Sequence, residues 1–423
     1  MKNTKNFAFT NIISRHNSKN QLLIKNRSIN INKILQMKQW IQVANYKTYT
    51  TLNIKKIGST ITIKNISRLY STNNVSSTLL NIINPLSNPK LENNKQTFKN
   101  NLGPGGELKP NYISGLTQAD GSFNCGITVT KSNNNLNLRF RPKFEIVLDK
   151  DSKDVLIAIQ HFFNCGTISK ENKDGSVNYV VSNLIDLKNI IIPHFLNYPV
   201  LFNKLHAFQL LCKIVKLMEF KHQLRDKVEI LRLAISMNVV SRRTKEHINY
   251  LYSILGIASD KILPNISDNI NTITSEITPE FIAGMIDGDG SFYIIFTKEL
   301  NVLPAMKQCY GKNCSLFEPY FKKYFGNIGQ IEEKANLRIW TLRNLNLFIN
   351  NVIPFMDANP IHTAKKDHYL IWKEVCLILN TESKLSQQSL IKLVNLAYNM
   401  NKEGKRRKIT KDKYLELIDK HFN

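Results

Sequence analysis

From Ser122 onward the apolar residues of this chain fall on every second position. Phe123, Cys125, Ile127 and Val129 share one side, and Ser122, Asn124, Gly126 and Thr128 the other, which is the period of a β-strand. A second alternating run sets Phe140, Phe144, Ile146 and Leu148 against Arg139, Arg141 and Lys143, and Asn133-Asn134-Asn135 divides the two runs as a turn. The pair predicts a hairpin with one apolar face and one wet, basic face. Upstream, a helical period begins at Pro110, where proline costs no helix hydrogen bond. Downstream, residues 151 to 163 read as a helix, Gly166 to Ile168 and Val177 to Ser182 as a second hairpin, and Leu184 to Phe195 and Leu205 to Phe220 as two helices. The order is αββαββα.

The same order starts again at Thr278, an N-cap before Pro279. Spacing supports the repeat. Pro193 lies 11 residues before Lys204, and Pro354 lies 11 before Lys365. Pro199 and Pro360 each stand five residues before their lysine, and Asn183-Leu184 corresponds to Asn344-Leu345. The copies differ in length: Asp120 to Phe163 spans 43 residues, and Asp289 to Phe325 only 36. The shortfall is expected where the second strand pair belongs, around Pro304 and Cys309 to Cys314. The fold class is therefore α+β, with two pseudo-symmetric αββαββα halves. The chain divides into an extension (residues 1–106) closed by the breaker cluster Asn101-Leu102-Gly103-Pro104-Gly105-Gly106, a first half (107–235), a polar linker (236–275), a second half (276–400) and a basic tail (401–423).

Both halves open on a related stretch. The first reads Tyr112-Ile113-Ser114-Gly115-Leu116-Thr117-Gln118-Ala119-Asp120-Gly121-Ser122-Phe123. The second reads Phe281-Ile282-Ala283-Gly284-Met285-Ile286-Asp287-Gly288-Asp289-Gly290-Ser291-Phe292. Gly115 and Ala119, like Gly284 and Gly288, are four apart and share a helix face. Such a face lets two backbones approach closely. Each helix then ends in Asp-Gly, which leaves a carboxylate at the negative end of the helix dipole. If the helices pack side by side, Asp120 and Asp289 meet at one end. Two close carboxylates need compensation, and a hard divalent cation supplies it.

These two segments resemble the LAGLIDADG motifs of homing endonucleases, in the single-chain, two-motif form common among fungal mitochondrial intron proteins. The resemblance covers roughly residues 107 to 410. It implies a saddle of antiparallel sheets with the two motif helices packed at its centre. It also implies that Asp120 and Asp289 bind metal, and that Lys204 and Lys365 sit beside the active centre, polarising water or steadying charge. Gln118 stands where the family has an earlier acid, which Asp287 keeps in the second copy. In the family that position is not the direct metal ligand. Cleavage staggered across the minor groove would follow.

The chemistry is consistent with that resemblance. Two divalent ions between paired carboxylates can activate water and stabilise the leaving oxygen without a side-chain nucleophile. The carbonyls of Ala119 and Gly288 could add oxygen ligands, and an all-oxygen set favours Mg²⁺. Two-stranded ribbons fit the major groove, where base edges are distinguishable. The wet faces then nominate Ser122, Asn124, Thr128, Arg139, Arg141 and Lys143 in the first half, and Ser291, Tyr293, Ile295 and Thr297 in the second.

Net charge sharpens the choice of partner. It is +26, with a pI near 9.7, which favours nucleic acid over a membrane surface. No run of eighteen apolar residues predicts a membrane span. The first 91 residues contain no Asp or Glu and 14 Lys and Arg, so they carry +14 of the total. That composition suits a mitochondrial transit peptide, with Arg68-Leu69-Tyr70-Ser71 resembling a processing site, or translated upstream sequence of an AT-rich organelle gene. Either points to mitochondria, and the extension is expected to be largely disordered. Residues Lys402 to Lys413 read as a phosphate-contacting tail or a solvated helix end. The cysteines are scattered, and Cys309 and Cys314 have no second pair, so they read as free thiols. The expectation is a monomeric, site-specific double-strand DNA endonuclease of intron homing. A second class remains open, an intron maturase whose basic saddle binds intron RNA.

Overall fold

The computed structural model describes residues 108–423 apart from breaks at 133–134, 220–222, 238–242, 259–276, 312–316, 328, 383 and 401–406, and three strands nearer the N-terminus. Contacts divide the chain into residues 1–101 and 102–423. In the first unit β1 (Gln21–Lys25), β2 (Asn53–Ile57) and β3 (Thr60–Lys64) form an antiparallel sheet ordered β1-β3-β2. The Thr-Ile-Thr-Ile alternation of β3 is its local cause. The disorder expected for the rest of residues 1–106, the processing site, Cys314 and the linker beyond residue 258 lie outside the described residues.

The second unit begins with α1 (Pro110–Asp120), β4 (Gly121–Ser132), β5 (Asn135–Asp149), α2 (Lys153–Phe163), β6 (Thr167–Ile168) and β7 (Ser176–Val181). Leu184–Asp186, a π turn at Leu187–Ile191 and Ile192–Asn197 then run on as one helix, α3, followed by α4 (Phe202–Leu217). This is the expected αββαββα. Two helices follow it, α5 (Leu224–Ser236) and α6 (Lys245–Ile254). The second half repeats the plan as α7 (Pro279–Asp289), β8 (Gly290–Phe296), β9 (Val302–Gly311), α8 (Glu318–Phe325), β10 (Gln330–Glu333) and β11 (Leu337–Leu342). Its next helix, α9, joins Leu345–Leu347, a π turn at Phe348–Val352 and Ile353–Ala358, and α10 (Lys365–Thr381), α11 (Gln387–Tyr398) and α12 (Lys411–Phe422) complete the chain. No described helix is long and apolar enough to cross a membrane.

The two sheets are antiparallel and ordered alike, β4-β5-β7-β6 and β8-β9-β11-β10. Pro142 faces Cys125 and Pro304 faces Ile294, at the same offset from each motif. Pairing to the third strand begins only at Phe144 and at Met306. Each proline thus sits where its strand has a neighbour on one side, the place where a missing N–H is tolerated. The shortening of the second copy is in its first hairpin, whose strands are 7 and 10 residues long against 12 and 15. The second strand pair, expected to be reduced, is complete, because Pro304 and Cys309 belong to β9.

Each half has its own core, and the two exchange residues. Phe123, Phe144, Phe195 and Phe208 pack in the first; Phe292, Phe348 and Trp372 pack in the second. Leu201 and Phe202, from the first half, are buried in the second core, with the Phe202 ring 4.9 Å from Phe317. In return His362 lies 4.7 Å from the Tyr112 ring. The segment read as a polar linker contains α6, which buries Leu251 and Tyr252. The segment read as a tail contains α12, whose Tyr414 and Ile418, one helical turn apart, are fully buried.

The centre of the unit is the seam between α1 and α7. A Cβ built on Gly115 would overlap the Phe281 carbonyl, and one on Gly284 would overlap the Tyr112 carbonyl. One on Gly288 would overlap the Ala119 methyl group and come within 2.8 Å of Asp120 Oδ2. The backbones therefore cross in contact, which the absence of a side chain at Gly115 and Gly284 allows.

Candidate active site

Asp120 and Asp289 are the last residues of α1 and α7, and the glycine after each returns its N–H to the helix, to Thr117 O and Ile286 O. The tight seam brings the two carboxylates together. The pKa of Asp120 is pushed up to about 7, first by burial and then by the charge of Asp289, with Lys365 and Lys204 pulling it back. Burial also raises Asp289 against the same two lysines. Repulsion and desolvation are the conditions under which a carboxylate pair gains most from a cation.

The lysines converge on the same place. Lys204 donates to the Gly121 carbonyl. Lys365 donates to Gly288 O at 2.7 Å and Ile286 O at 3.0 Å. Burial lowers the Lys365 pKa, and Asp287, Asp120 and Asp289 oppose that shift. Of the two carbonyls nominated as metal ligands, Gly288 O already accepts from Lys365. It keeps a second lone pair.

The residues before the motif acids set these lysines. Asp287 is 2 % exposed. It accepts from Tyr112 Oη at 2.5 Å, His362 N at 2.7 Å, Thr363 N at 3.1 Å and the Thr363 hydroxyl. The turn that leads into α10 is thereby tied to the motif helix. In the first half the same work falls to Gln118, whose Oε1 accepts from Leu201 N at 2.7 Å. Gln118 and Asp287 thus both hold the approach to a lysine. An amide can serve as an acceptor there, though it takes one donor instead of four.

The wet face of the first sheet is as expected. Thr128, Arg139 and Arg141 are exposed on it, and Ser122, Asn124 and Lys143 are half-buried. Sequence reasoning missed Glu145, which lies opposite Ser122. It accepts from Ser122 at 3.1 Å and Asn124 at 2.8 Å, and pairs with Lys143 at 2.5 Å. Its place in the Arg139, Arg141, Lys143 alternation was the available signal. On the second sheet Ser291, Tyr293 and Ile295 share the corresponding face. Lys307, also missed, lies opposite Ser291 with its ammonium 5.7 Å from the Tyr293 ring. Thr297 is past the end of β8, and its hydroxyl accepts from Asn301 N at 3.2 Å in a turn. Among the described residues no three His, Cys, Asp or Glu side chains cluster as a metal site. The candidate donors are therefore the two aspartates and nearby carbonyls, an all-oxygen set. The five described cysteines are free.

The model of the LAGLIDADG endonuclease family matches residues 113–215 and 282–376, one region on each motif half. The chain belongs to the LAGLIDADG family. Its similarity to the probable intron-encoded endonuclease 2 of Neurospora crassa is 30% identity over 299 residues, 68% of this chain and 64% of that one. The chain thus spans less than two thirds of that relative's length. The probable intron-encoded DNA endonuclease 1 of Mycosarcoma maydis is 26% identical over 268 residues, 61% of this chain and 96% of its own. Among solved structures, I-SmaMI bound to uncleaved DNA target in the presence of calcium ions superposes with a TM-score of 0.61 at 23% identity, over 70% of this chain and 99% of that one. The LAGLIDADG homing endonuclease I-GzeII in complex with its DNA target gives 0.61 at 24%, over 70% and 100%. These likenesses carry the saddle fold over to the LAGLIDADG halves described above.

Proposed function

We propose that this LAGLIDADG protein is a site-specific double-strand DNA endonuclease of intron homing, acting as a monomer. The observation that carries the reading is the meeting of Asp120 and Asp289 at the foot of a helix seam, with Lys204 and Lys365 against the same loops. Asp120 and Asp289, with the carbonyls of Ala119 and Gly288, would hold divalent ions, Mg²⁺ first among them, which when bound activate water and stabilise the leaving oxygen.

The chain's own residues supply the rest. Lys204 and Lys365 keep positive charge beside the two carboxylates, where a phosphate would enter, and Gln118 and Asp287 fix their approach. The antiparallel ribbons β4-β5 and β8-β9 present side chains to the major groove. Ser122, Asn124, Thr128, Arg139, Arg141, Lys143, Ser291 and Tyr293 contact bases or phosphates, and Thr297 shapes the turn behind β8. A mitochondrial site of action suits the acid-free, basic first 91 residues.

The test is cleavage of duplexes carrying the fused sequences that flank the host intron, with Mg²⁺ and with chelator. Asp120→Asn and Asp289→Asn should each lower cleavage at least a thousandfold while DNA affinity stays within a few fold. Full cutting by both variants, or splicing assistance without any Mg²⁺-dependent cutting, would refute the assignment.

A further inference from the structure

The two DNA-facing sheets follow one topology and carry opposite chemistry. On the first, Arg139 and Arg141 stand exposed one alternation apart, opposite Thr128 and Gly126. Lys143 is tied to Glu145, so these two guanidiniums are the forks the face extends. On the second sheet the same face is built from Tyr293, Ile295, Leu303, Cys309, Leu337 and Ile339. Ile295 lies opposite Leu303, Cys309 opposite Ile339, and Leu337 opposite Gly311, so they form two aliphatic patches on either side of the polar row Ser291, Lys307, Thr341 and Gln330. Leu303 and Leu337 are 45% and 46% exposed. Lys307 stands in that polar row, Glu332 flanks Ile339 and is paired with Lys334 at 3.5 Å, and Arg343 donates to Gln330 at 3.5 Å.

We infer that the two half-sites of the target differ in kind: the first sheet reads guanines, and the second reads the methyl groups of thymines. This rests on the endonuclease reading of the same surfaces. An arginine fork matches the O6 and N7 acceptors of guanine in the major groove. Residues i and i+2 of a strand lie about 6.7 Å apart, roughly two base-pair steps of 3.4 Å, so Arg139 and Arg141 address guanines separated by one base pair. An aliphatic surface offers nothing to those acceptors. The one apolar group a major groove presents is the C5 methyl of thymine, and Ile295, Leu303 and Ile339 are placed to cover it. The shortness of β8 and β9 agrees with this, because a methyl contact requires close seating and no long polar arm.

The experiment is a binding selection with the full chain in calcium from randomised duplexes, followed by titration of the preferred sequence. Arg141→Ala identifies the first half-site as the positions whose preference it relaxes. There, 7-deazaguanine at either guanine should weaken binding about five- to a hundredfold. In the other half-site, deoxyuridine in place of thymine should cost about fourfold per methyl, and in the first half-site it should cost less than twofold. Ile339→Asn should bind thymine and uracil duplexes alike. A selection with no preferred sequence would overturn the endonuclease reading itself. A preferred sequence with guanines in both half-sites, or no penalty for deoxyuridine in the second, overturns this inference and leaves that reading standing. A dimer in solution that Ile339→Asn dissolves, with uracil neutral, also overturns it.

Discussion

At Asp120 the folded protein holds a carboxyl whose pKa is raised to about 7, by burial first and by Asp289 second. The unfolded chain titrates the same group near 4. Folding therefore takes up a proton between those values. The stability this group contributes is full below about pH 4 and lost as the pH rises through 7. Metal-free protein should lose on the order of 2–4 kcal/mol across that window. Thermal melts in chelator from pH 4 to 7.5 measure it, and Asp120→Asn should flatten the profile. Asp287 belongs to the same scale but has a different task. Asp287→Ala strips the acceptor from Tyr112, His362 N, Thr363 N and the Thr363 hydroxyl. Leaving buried donors without partners should cost on the order of 3–5 kcal/mol. Gln118→Ala releases one donor and should cost about 1–3 kcal/mol. At a temperature where both variants are folded, single-turnover assays should show the Asp287 variant accumulating nicked duplex, since only the lysine of one half has lost its support.

At the scale of elements, the seam of α1 and α7 makes the sharpest demand. Gly115→Ala puts a methyl group into the Phe281 carbonyl, so the helices must separate. Overpacking of this kind costs about 1–3 kcal/mol or more, and cleavage should vanish with the displaced aspartates. Gly126→Ala meets nothing nearer than 3.7 Å and should leave the melting temperature within about 2 °C, roughly half a kcal/mol or less. Much of this level was legible from the chain. Alternation alone predicts β4 and β5, and the equal Pro-to-Lys spacings single out Lys204 and Lys365. Other parts were not. α4 starts at Phe202, earlier than the expected Leu205, because Leu201 and Phe202 are drawn into the core of the other half, and no local pattern announces a long-range exchange. α6 and α12 each bury only two side chains deeply, too few to stand out in polar surroundings. Glu145 does not stand out in the sequence because it follows Arg139, Arg141 and Lys143 on one alternation that otherwise reads as basic.

For the whole molecule, the charge of +26 predicts that DNA binding under the proposed function weakens as salt rises. The affinity should fall linearly with salt on logarithmic axes, by about 0.9 for each phosphate neutralised. Not every cation contributes. Arg407 donates to Ile294 O at 2.8 Å and Ala397 O at 3.0 Å, with its guanidinium 5.2 Å and 4.7 Å from the Phe296 and Tyr398 rings. It fastens the chain beyond α11 to the tip of β8. Arg407→Gln should lower the melting temperature and leave the salt slope of DNA binding unchanged, which parallel melts and titrations would check. A change in slope would mean that this arginine faces the phosphates after all.

The crossing at Gly115 and Gly284 also bears on how far two copies of one plan can drift apart. The halves resemble each other only in part: Gln118 stands where the other has Asp287, the hairpin arms differ in length, and charged positions on one sheet have aliphatic counterparts on the other. At the crossing there is no smaller letter to substitute and no room for a larger one. Each half thus vetoes revision in its twin, and that shared veto keeps the two as one protein.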